Sequence, residues 1–369
     1  MRIIFVLPSA GGGGGAHSIV QEVLGLRRLG VGAGIATPRS LASQFQVRYP
    51  ELQRNAVENP SYAKIEELAS IIASYDLAIA TTALSVSTVA QAKEEAGNAG
   101  LRLGYYIQDY EPLFYPPGSR EWSEARASFD LMKNALPFAK TDWLCSVVEA
   151  NHNIHVRRVK ASIDHDVYYP SDRPLGEPLR ITAMVRPKTP RRAPKRTVRI
   201  LEQIAFKYGS RVELTYFGCD STDLANVGLR PSPALGSLGV LDRIQVANTL
   251  RHSDLFLDLS DFQAFGRTGL EGMACGCVPV LPLFGGAGEY ARHGVNSYLV
   301  DTRSDEEILT AVNQFVNGRP QKRSEMRDSG IHTALNYSIA KAAYSEYELF
   351  RDFIGEAAPV AAKIPAEAA

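Results

Sequence analysis

The sequence predicts an α/β protein built as two doubly wound domains with parallel sheets. Three observations carry this. Short apolar runs alternate with helical stretches of ten or more residues along most of the 369-residue chain, the order that produces βαβ units. That length exceeds one typical core and suits two. A polar, proline-bearing stretch at 162–178, SIDHDVYYPSDRPLGEP, divides the alternation in two as a linker does. The expected domains are 1–165 and 175–335. A C-terminal helix, 336–355, then returns across the interface, and a disordered tail, 356–369, follows.

In the first domain the reading is a buried strand at Arg2–Leu7, a loop at Ser9–Ala16, and a helix at His17–Leu29. In that helix Ile19, Val20, Val23, Leu24 and Leu26 share a face. Further strands are expected at 32–36, 77–81, 103–108 and 143–146, with helices at 63–74 and 85–96. The second domain repeats the pattern: strand 179–185, helix 195–207, strand 211–217, helix 242–250, strand 255–259. After it, Asp261–Gly266 is a turn, Arg267–Gly276 a short helix, Val278–Leu281 a strand, and Gly285–Gly288 a glycine loop ending at Glu289. This order places loop and helix N-termini at the carboxyl ends of parallel strands, where unpaired N–H groups and the helix dipole hold phosphates.

Bulk composition excludes several classes. Forty Lys and Arg balance forty Asp and Glu, so nothing global argues for nucleic acid as partner. No run of eighteen apolar residues is present, and the N-terminus leads into glycines and a helix rather than a cleavage site. A cytoplasmic protein, working at most on the inner face of the membrane, is expected. The four cysteines have no zinc spacing, and Cys275 and Cys277 read as small buried residues in a reducing compartment.

Three further stretches carry candidate chemistry. The run Gly11–Gly15, with Gly12, Gly13 and Gly14 at its centre, sits where a dinucleotide fingerprint would. Thr37 and Pro38, however, stand where that fingerprint needs an acidic residue. A loop whose N–H groups approach phosphate or sugar is the better reading, with His17 beside it either touching ligand or capping the helix. Residues 185–199, VRPKTPRRAPKRTVR, hold seven Lys or Arg after a strand. Arg186 with Arg191 or Arg192 can neutralise a diphosphate through bidentate guanidinium forks, while Lys195, Arg196 and Arg199 leave a peripheral membrane contact open. Residues 105–119, YYIQDYEPLFYPPGS, set Asp109 and Glu111 among aromatic rings, which suits sugar binding. Asp164-His165-Asp166 has an Asp-x-Asp look, but lies in the linker and is not read as a metal site.

Together these segments resemble the GT-B glycosyltransferases, two Rossmann-like domains facing a cleft, and specifically the retaining family-four group. The group's hallmark, Glu, seven residues, Glu, is similar to QAFGRTGLE here, with Gln263 in place of the first Glu and Glu271 as the second. GMACGCVPV, GGAGEYARHGVNSYLVD, RPKTPRR and SIDHDVYYP resemble further family segments across nearly the whole chain, most strongly over 240–301. YYIQDYEPLFYPPGS is similar to a loop of WsaF-type rhamnosyltransferases, which use dTDP-L-rhamnose in bacterial surface-glycan assembly. Gln108-Asp109 stands where the family has His-Asp, so the catalytic His has no side-chain equivalent.

The resemblance implies transfer of a sugar from a nucleoside-diphosphate donor to a glycan or lipid-linked oligosaccharide, with no cofactor and no metal. Glu271 would bind the donor ribose and Gln263 would sit by the donor sugar. Arg186 and Arg191 would hold the diphosphate, helped by N–H groups at Gly266, Arg267 and Thr268, with Phe265 among the donor-binding residues. The run Gly11–Gly15 and residues 108–115 would line the acceptor side, with Asp109 the first candidate for acceptor positioning or proton handling. Three alternatives stay open: a silent sugar-nucleotide-binding protein, an isomerase of UDP-sugars on the same fold, and an NAD-dependent oxidoreductase.

Overall fold

The computed structural model describes residues 1–132, 134–173 and 176–355. Two parallel sheets organise them. The first comprises β1 (Arg2–Val6), β2 (Gly32–Pro38), β3 (Ser61–Tyr62), β4 (Leu77–Ala80), β5 (Arg102–Tyr106), β6 (Leu136–Ala139) and β7 (Arg157–Arg158), in the order β3-β2-β1-β4-β5-β6-β7. The second comprises β8 (Leu179–Met184), β9 (Val212–Phe217), β10 (Leu235–Ser237), β11 (Leu255–Leu257), β12 (Val278–Pro282) and β13 (Tyr298–Val300), in the order β10-β9-β8-β11-β12-β13. Strands covered on both faces read as unbroken apolar runs, and Ile3–Val6, Leu77–Ala80 and Leu255–Leu257 are fully buried.

Strand order reverses beside β1, between β2 and β4, and beside β8, between β9 and β11. A doubly wound sheet opens its crevice at such a point. The glycine run therefore emerges from one crevice, and both the arginine loop and the segment after β11 from the other.

The last helix, Ile339–Gly355, packs on the first, Gly14–Arg28. Contact is close: a Cβ at Gly25 would meet Ala343 Cβ at 2.7 Å. Phe350 meets Phe138 edge-on at 5.2 Å. Beneath lies a buried pair, Lys140 donating to Glu22, with Glu346 beside it.

Two expectations are corrected. Residues 143–146 are not a strand; they belong to the helix Asp142–His152, capped by Thr141 Oγ1 accepting from Leu144 N at 3.2 Å. The run WLCS is short and apolar because Leu144, Cys145 and Val148 form the buried face of that helix, a pattern that periodicity cannot separate from a strand over four residues. The strand precedes it, as β6. The loop through Ala16 also ends early, since Gly14 already begins the helix. The helices Arg39–Arg48 and Pro50–Arg54 and the helix Arg120–Ala127 come from polar stretches with no apolar period to announce them. The tail 356–369 lies outside the described residues.

Candidate functional site

The segment after β11 is irregular from Asp258 to Gly266 and then enters the helix Arg267–Ala274. Gly266 makes the entry at φ +77°, a left-handed conformation natural to glycine, and its carbonyl accepts from Tyr290 Oη at 2.6 Å. The N–H groups of Arg267 and Thr268 begin the helix and have no preceding turn to bond. Phe265 packs on Tyr290 and Tyr337, 5.4 and 6.1 Å away. Buried Gln263 donates from Nε2 to Asp258 Oδ2 at 2.5 Å and to Ser260 Oγ at 3.2 Å.

The glycine loop is packed against this segment backbone to backbone. Gly286 N donates to Gln263 O at 2.8 Å. A Cβ at Gly285 would lie 2.0 Å from Gln263 O, and φ there is +113°. Gly285→Ala is therefore expected to displace Gln263 and lower stability by roughly 2–3 kcal/mol, read as a fall in the denaturation midpoint.

Glu271 is buried in the helix, 6 % exposed. Burial pushes its carboxyl up to about 7, against the pull of Arg267, the Tyr168 hydroxyl and Arg243, while Asp164 pushes the same way as burial. Arg267 itself reaches the first domain. It donates to Ser18 Oγ at 2.6 Å and Gln21 Oε1 at 3.0 Å on the first helix, with Glu271 Oε1 at 3.9 Å.

The arginine loop divides by task. Arg186 is exposed, its carbonyl accepts from Thr189 N at 3.0 Å, and its guanidinium has no hydrogen-bond or ion-pair partner among the described residues. It lies beside Gly218, whose missing Cβ would meet Arg186 Nε at 3.4 Å. Arg191 crosses the cleft to Asp109, Nη2 to Oδ2 3.3 Å, with its guanidinium 4.1 Å from the Phe114 ring centre and 5.5 Å from that of Phe262. Arg192 donates to Ser260 Oγ at 3.5 Å and lies 3.9 Å from Asp258. Two of the three outer cations left open for a membrane make pairs within the chain, Arg199 at the surface. Arg196 holds Leu259 O and Asp261, and Arg199 pairs with Asp305.

On the first domain, Gly11 and Gly12 have φ near +83°, and Gly12 N donates to Tyr49 Oη at 3.0 Å. Gly13 precedes the helix, and a Cβ on Gly14 would stand 3.9 Å from Arg267 Cδ. A Cβ on Gly15 would strike Gln108 Oε1 at 2.5 Å, so this glycine makes room for Gln108, whose Nε2 donates to Thr81 O at 3.0 Å. His17 lies within the helix with its ring edge on Tyr49 at 5.3 Å rather than at a cap. Burial, then Arg267 and Arg243, bring its pKa down to about 4, so it is neutral at pH 7. Burial raises the Asp109 carboxyl despite Arg191 and Arg192. Glu111 accepts from Ala83 N at 2.8 Å, and burial chiefly holds its pKa at about 7.

The carboxyl ends of the two sheets thus meet. Thr141 Oγ1 donates to Ala264 O at 2.9 Å, Asp142 N to Glu289 Oε1 at 2.6 Å, and Arg158 to Glu289 Oε2 at 2.6 Å. Asp258, Ser260, Tyr168, Arg243, Ser18 and Gln21 join the site without having been singled out from sequence. Asp258 had been absorbed into the strand expected at 255–259, which ends at Leu257. Asp164 accepts from Arg243 Nη1 at 3.1 Å and from Asp166 N, so the Asp-x-Asp look reflects a linker turn.

Two parallel-sheet Rossmann-like domains meeting at their carboxyl edges define the GT-B fold. Residues 234–333, which carry Asp258, Gln263 and Glu271, match the family described as "Glycosyl transferases group 1". The chain is similar to the O-antigen biosynthesis protein RfbC of Myxococcus xanthus, 26 % identical over 270 residues, 72 % of this chain and 20 % of that protein. It thus spans about a fifth of that relative's length. Among solved structures it is similar to Anabaena HepE in complex with UDP and glucose, with a TM-score of 0.77, 17 % identity, and 95 % and 100 % of the two chains covered. Sucrose-phosphate synthase from Thermosynechococcus elongatus is also similar, with a TM-score of 0.75, 14 % identity, and 96 % and 98 % covered. At such identities the likeness concerns the fold. Among the described residues no helix is long and apolar enough to cross a membrane.

Proposed function

We propose that the protein is a glycosyltransferase that moves a sugar from a nucleoside-diphosphate donor to a glycan or lipid-linked acceptor of a bacterial surface polysaccharide, with dTDP-L-rhamnose the first donor to test. One observation carries the reading. A guanidinium with no partner among the described residues, Arg186, a helix N-terminus at Gly266–Thr268 and a buried carboxylate, Glu271, emerge from neighbouring strands β8 and β11 at the point where strand order reverses. Cations and N–H groups suit a diphosphate, and a carboxylate suits a ribose diol. The family match over 234–333 and the UDP held by HepE support the same reading.

In this reading the bond from the anomeric carbon to the diphosphate breaks, the acceptor oxygen bonds to that carbon, and charge builds on the leaving phosphate oxygen. Arg186 and the helix N-terminus stabilise that charge, preorganised at the site, without a metal. Arg191 is shared: its pair with Asp109 competes with the phosphate, so donor binding frees Asp109 on the acceptor side. Asp109, raised by burial, then orients the acceptor hydroxyl and takes its proton. Closure of the two domains excludes water.

A silent sugar-nucleotide binder is the second reading, favoured by Gln263 and Gln108 in place of two family side chains. Thermal shift against dTDP-L-rhamnose, UDP-glucose and GDP-mannose separates these readings from an oxidoreductase, and turnover of the donor without acceptor would mark an isomerase. A donor at a hundred times its Kd adds about 2.7 kcal/mol, and release of nucleoside diphosphate with acceptor present then marks an enzyme. No shift with any of the three would overturn the proposal.

A further inference from the structure

Gln263 and Asp258 form a unit with a consequence for donor recognition. Asp258 is 2 % exposed and Gln263 5 %. A carboxylate only accepts hydrogen bonds, so at 2.5 Å the atom of Gln263 facing Asp258 Oδ2 has to be the amide nitrogen. The second N–H of that nitrogen goes to Ser260 Oγ at 3.2 Å. Asp258 is itself fixed: Oδ1 accepts from Ser260 Oγ at 2.5 Å and Ser260 N at 3.2 Å, and its own N–H donates to Val280 O at 3.0 Å on β12. Both N–H groups of the amide are therefore committed. Its Oε1 accepts no hydrogen bond among the described residues. It is left as a neutral acceptor of fixed direction, in the loop between β11 and the helix that starts at Arg267.

From this geometry we infer that Asp258 is a positioning residue for the donor sugar: it locks the Gln263 amide so that Oε1, and not Nε2, meets a sugar hydroxyl. The inference rests on the donor-site reading above. The carboxylate that a Glu at 263 would supply sits one side chain back, at 258, and a neutral oxygen faces the ligand. A Glu at 263 beside an intact Asp258 would set two carboxylates against each other. An Asn at 258 would put an amide against an amide, so that Gln263 could turn either way.

The test is a charge relocation. Affinities of D258N, Q263E and the double variant D258N/Q263E are measured by titration calorimetry. The probes are the nucleotide sugar from the thermal-shift panel that the parent binds and the matching nucleoside diphosphate without sugar. Each single variant is expected to lose about tenfold in affinity for the nucleotide sugar, the worth of one well-made hydrogen bond. Affinity for the bare nucleoside diphosphate should stay within about twofold. In the double variant the amide introduced at position 258 can donate to the carboxylate introduced at position 263. That restores a fixed acceptor, so most of the sugar-dependent affinity should return. If D258N does not fold, Ser260→Ala removes the second partner of Nε2 and should show the same sugar-dependent loss at smaller size.

Equal losses for both ligands would overturn the inference. So would an unchanged sugar affinity in D258N, or in Ser260→Ala where that variant stands in for it, or a double variant no better than Q263E. Absence of any nucleotide-sugar binding by the parent protein would overturn the functional reading and this inference together.

Discussion

Arg186→Ala is expected to lower kcat/KM for the nucleotide sugar by about 30- to 1,000-fold, roughly 2–4 kcal/mol of transition-state stabilisation. Its melting temperature should barely move. The asymmetry follows from what the guanidinium touches. Arg186 is exposed and pairs with no described side chain, so its removal leaves no carboxylate stranded, and such substitutions usually stay within about 0.5 kcal/mol of the parent. Arg191 is the contrast. It pairs with Asp109 at 3.3 Å and lies against Phe114 and Phe262, so its loss would weaken packing and leave the half-buried Asp109 without its nearest cation. Arg186→Lys should recover part of the rate, since the charge returns without the bidentate fork. Steady-state kinetics with paired melting curves decide the matter, and near-parental turnover by Arg186→Ala would remove the diphosphate clamp from the mechanism.

Much of the fold was legible because parallel strands covered on both faces leave unbroken apolar runs. IIFV in β1, LAIA in β4 and LFL in β11 all lie where the runs stand. The helix Arg267–Ala274 was legible from its position after a strand and a glycine. WLCS misled because three apolar residues in a row fit a strand and a helix face equally. The deciding signal was the cap pair Thr141-Asp142 just before it.

At the site, residue types were legible and partners were not. Glycine and arginine loops announce themselves locally. That Arg191 meets Asp109, 82 positions away in the chain, depends on how two domains dock. Arg243 shows the same limit, since its neighbours Glu51 and Asp164 come from the first domain and the linker. Gln263 stood out as a departure from the resembled pattern, but its meaning required the distance to Asp258.

Glu271→Gln is expected to make the protein more stable and a worse binder. Its carboxyl, ordinarily near 4.5, is pushed to about 7 mainly by burial. Below about 4.5 it is protonated in both folded and unfolded chains and contributes no difference. Between about 4.5 and about 7 the unfolded chain has released the proton that the folded protein keeps, so stability falls as pH rises through that window. Above about 7 the full cost of a buried charge remains. Gln removes the charge, so the variant should melt above the parent at pH 8, with the gap closing towards pH 5.

Binding runs the other way. The ionised carboxylate can accept from both hydroxyls of a ribose, and the amide offers one acceptor. Donor affinity should therefore drop by about 10- to 100-fold at pH 8 in the variant. In the parent it should rise as pH passes through about 7, and in the variant stay flat. Melting curves at pH 5 and 8 and donor titrations at pH 6 and 8 read both effects. A variant less stable than the parent at pH 8 would show the carboxylate to be structural. Donor affinity independent of pH in the parent would take the ribose away from Glu271. The two results together distinguish a charge held for a ligand from one held for the fold, because the first costs stability in the free protein and strengthens binding, and the second does neither.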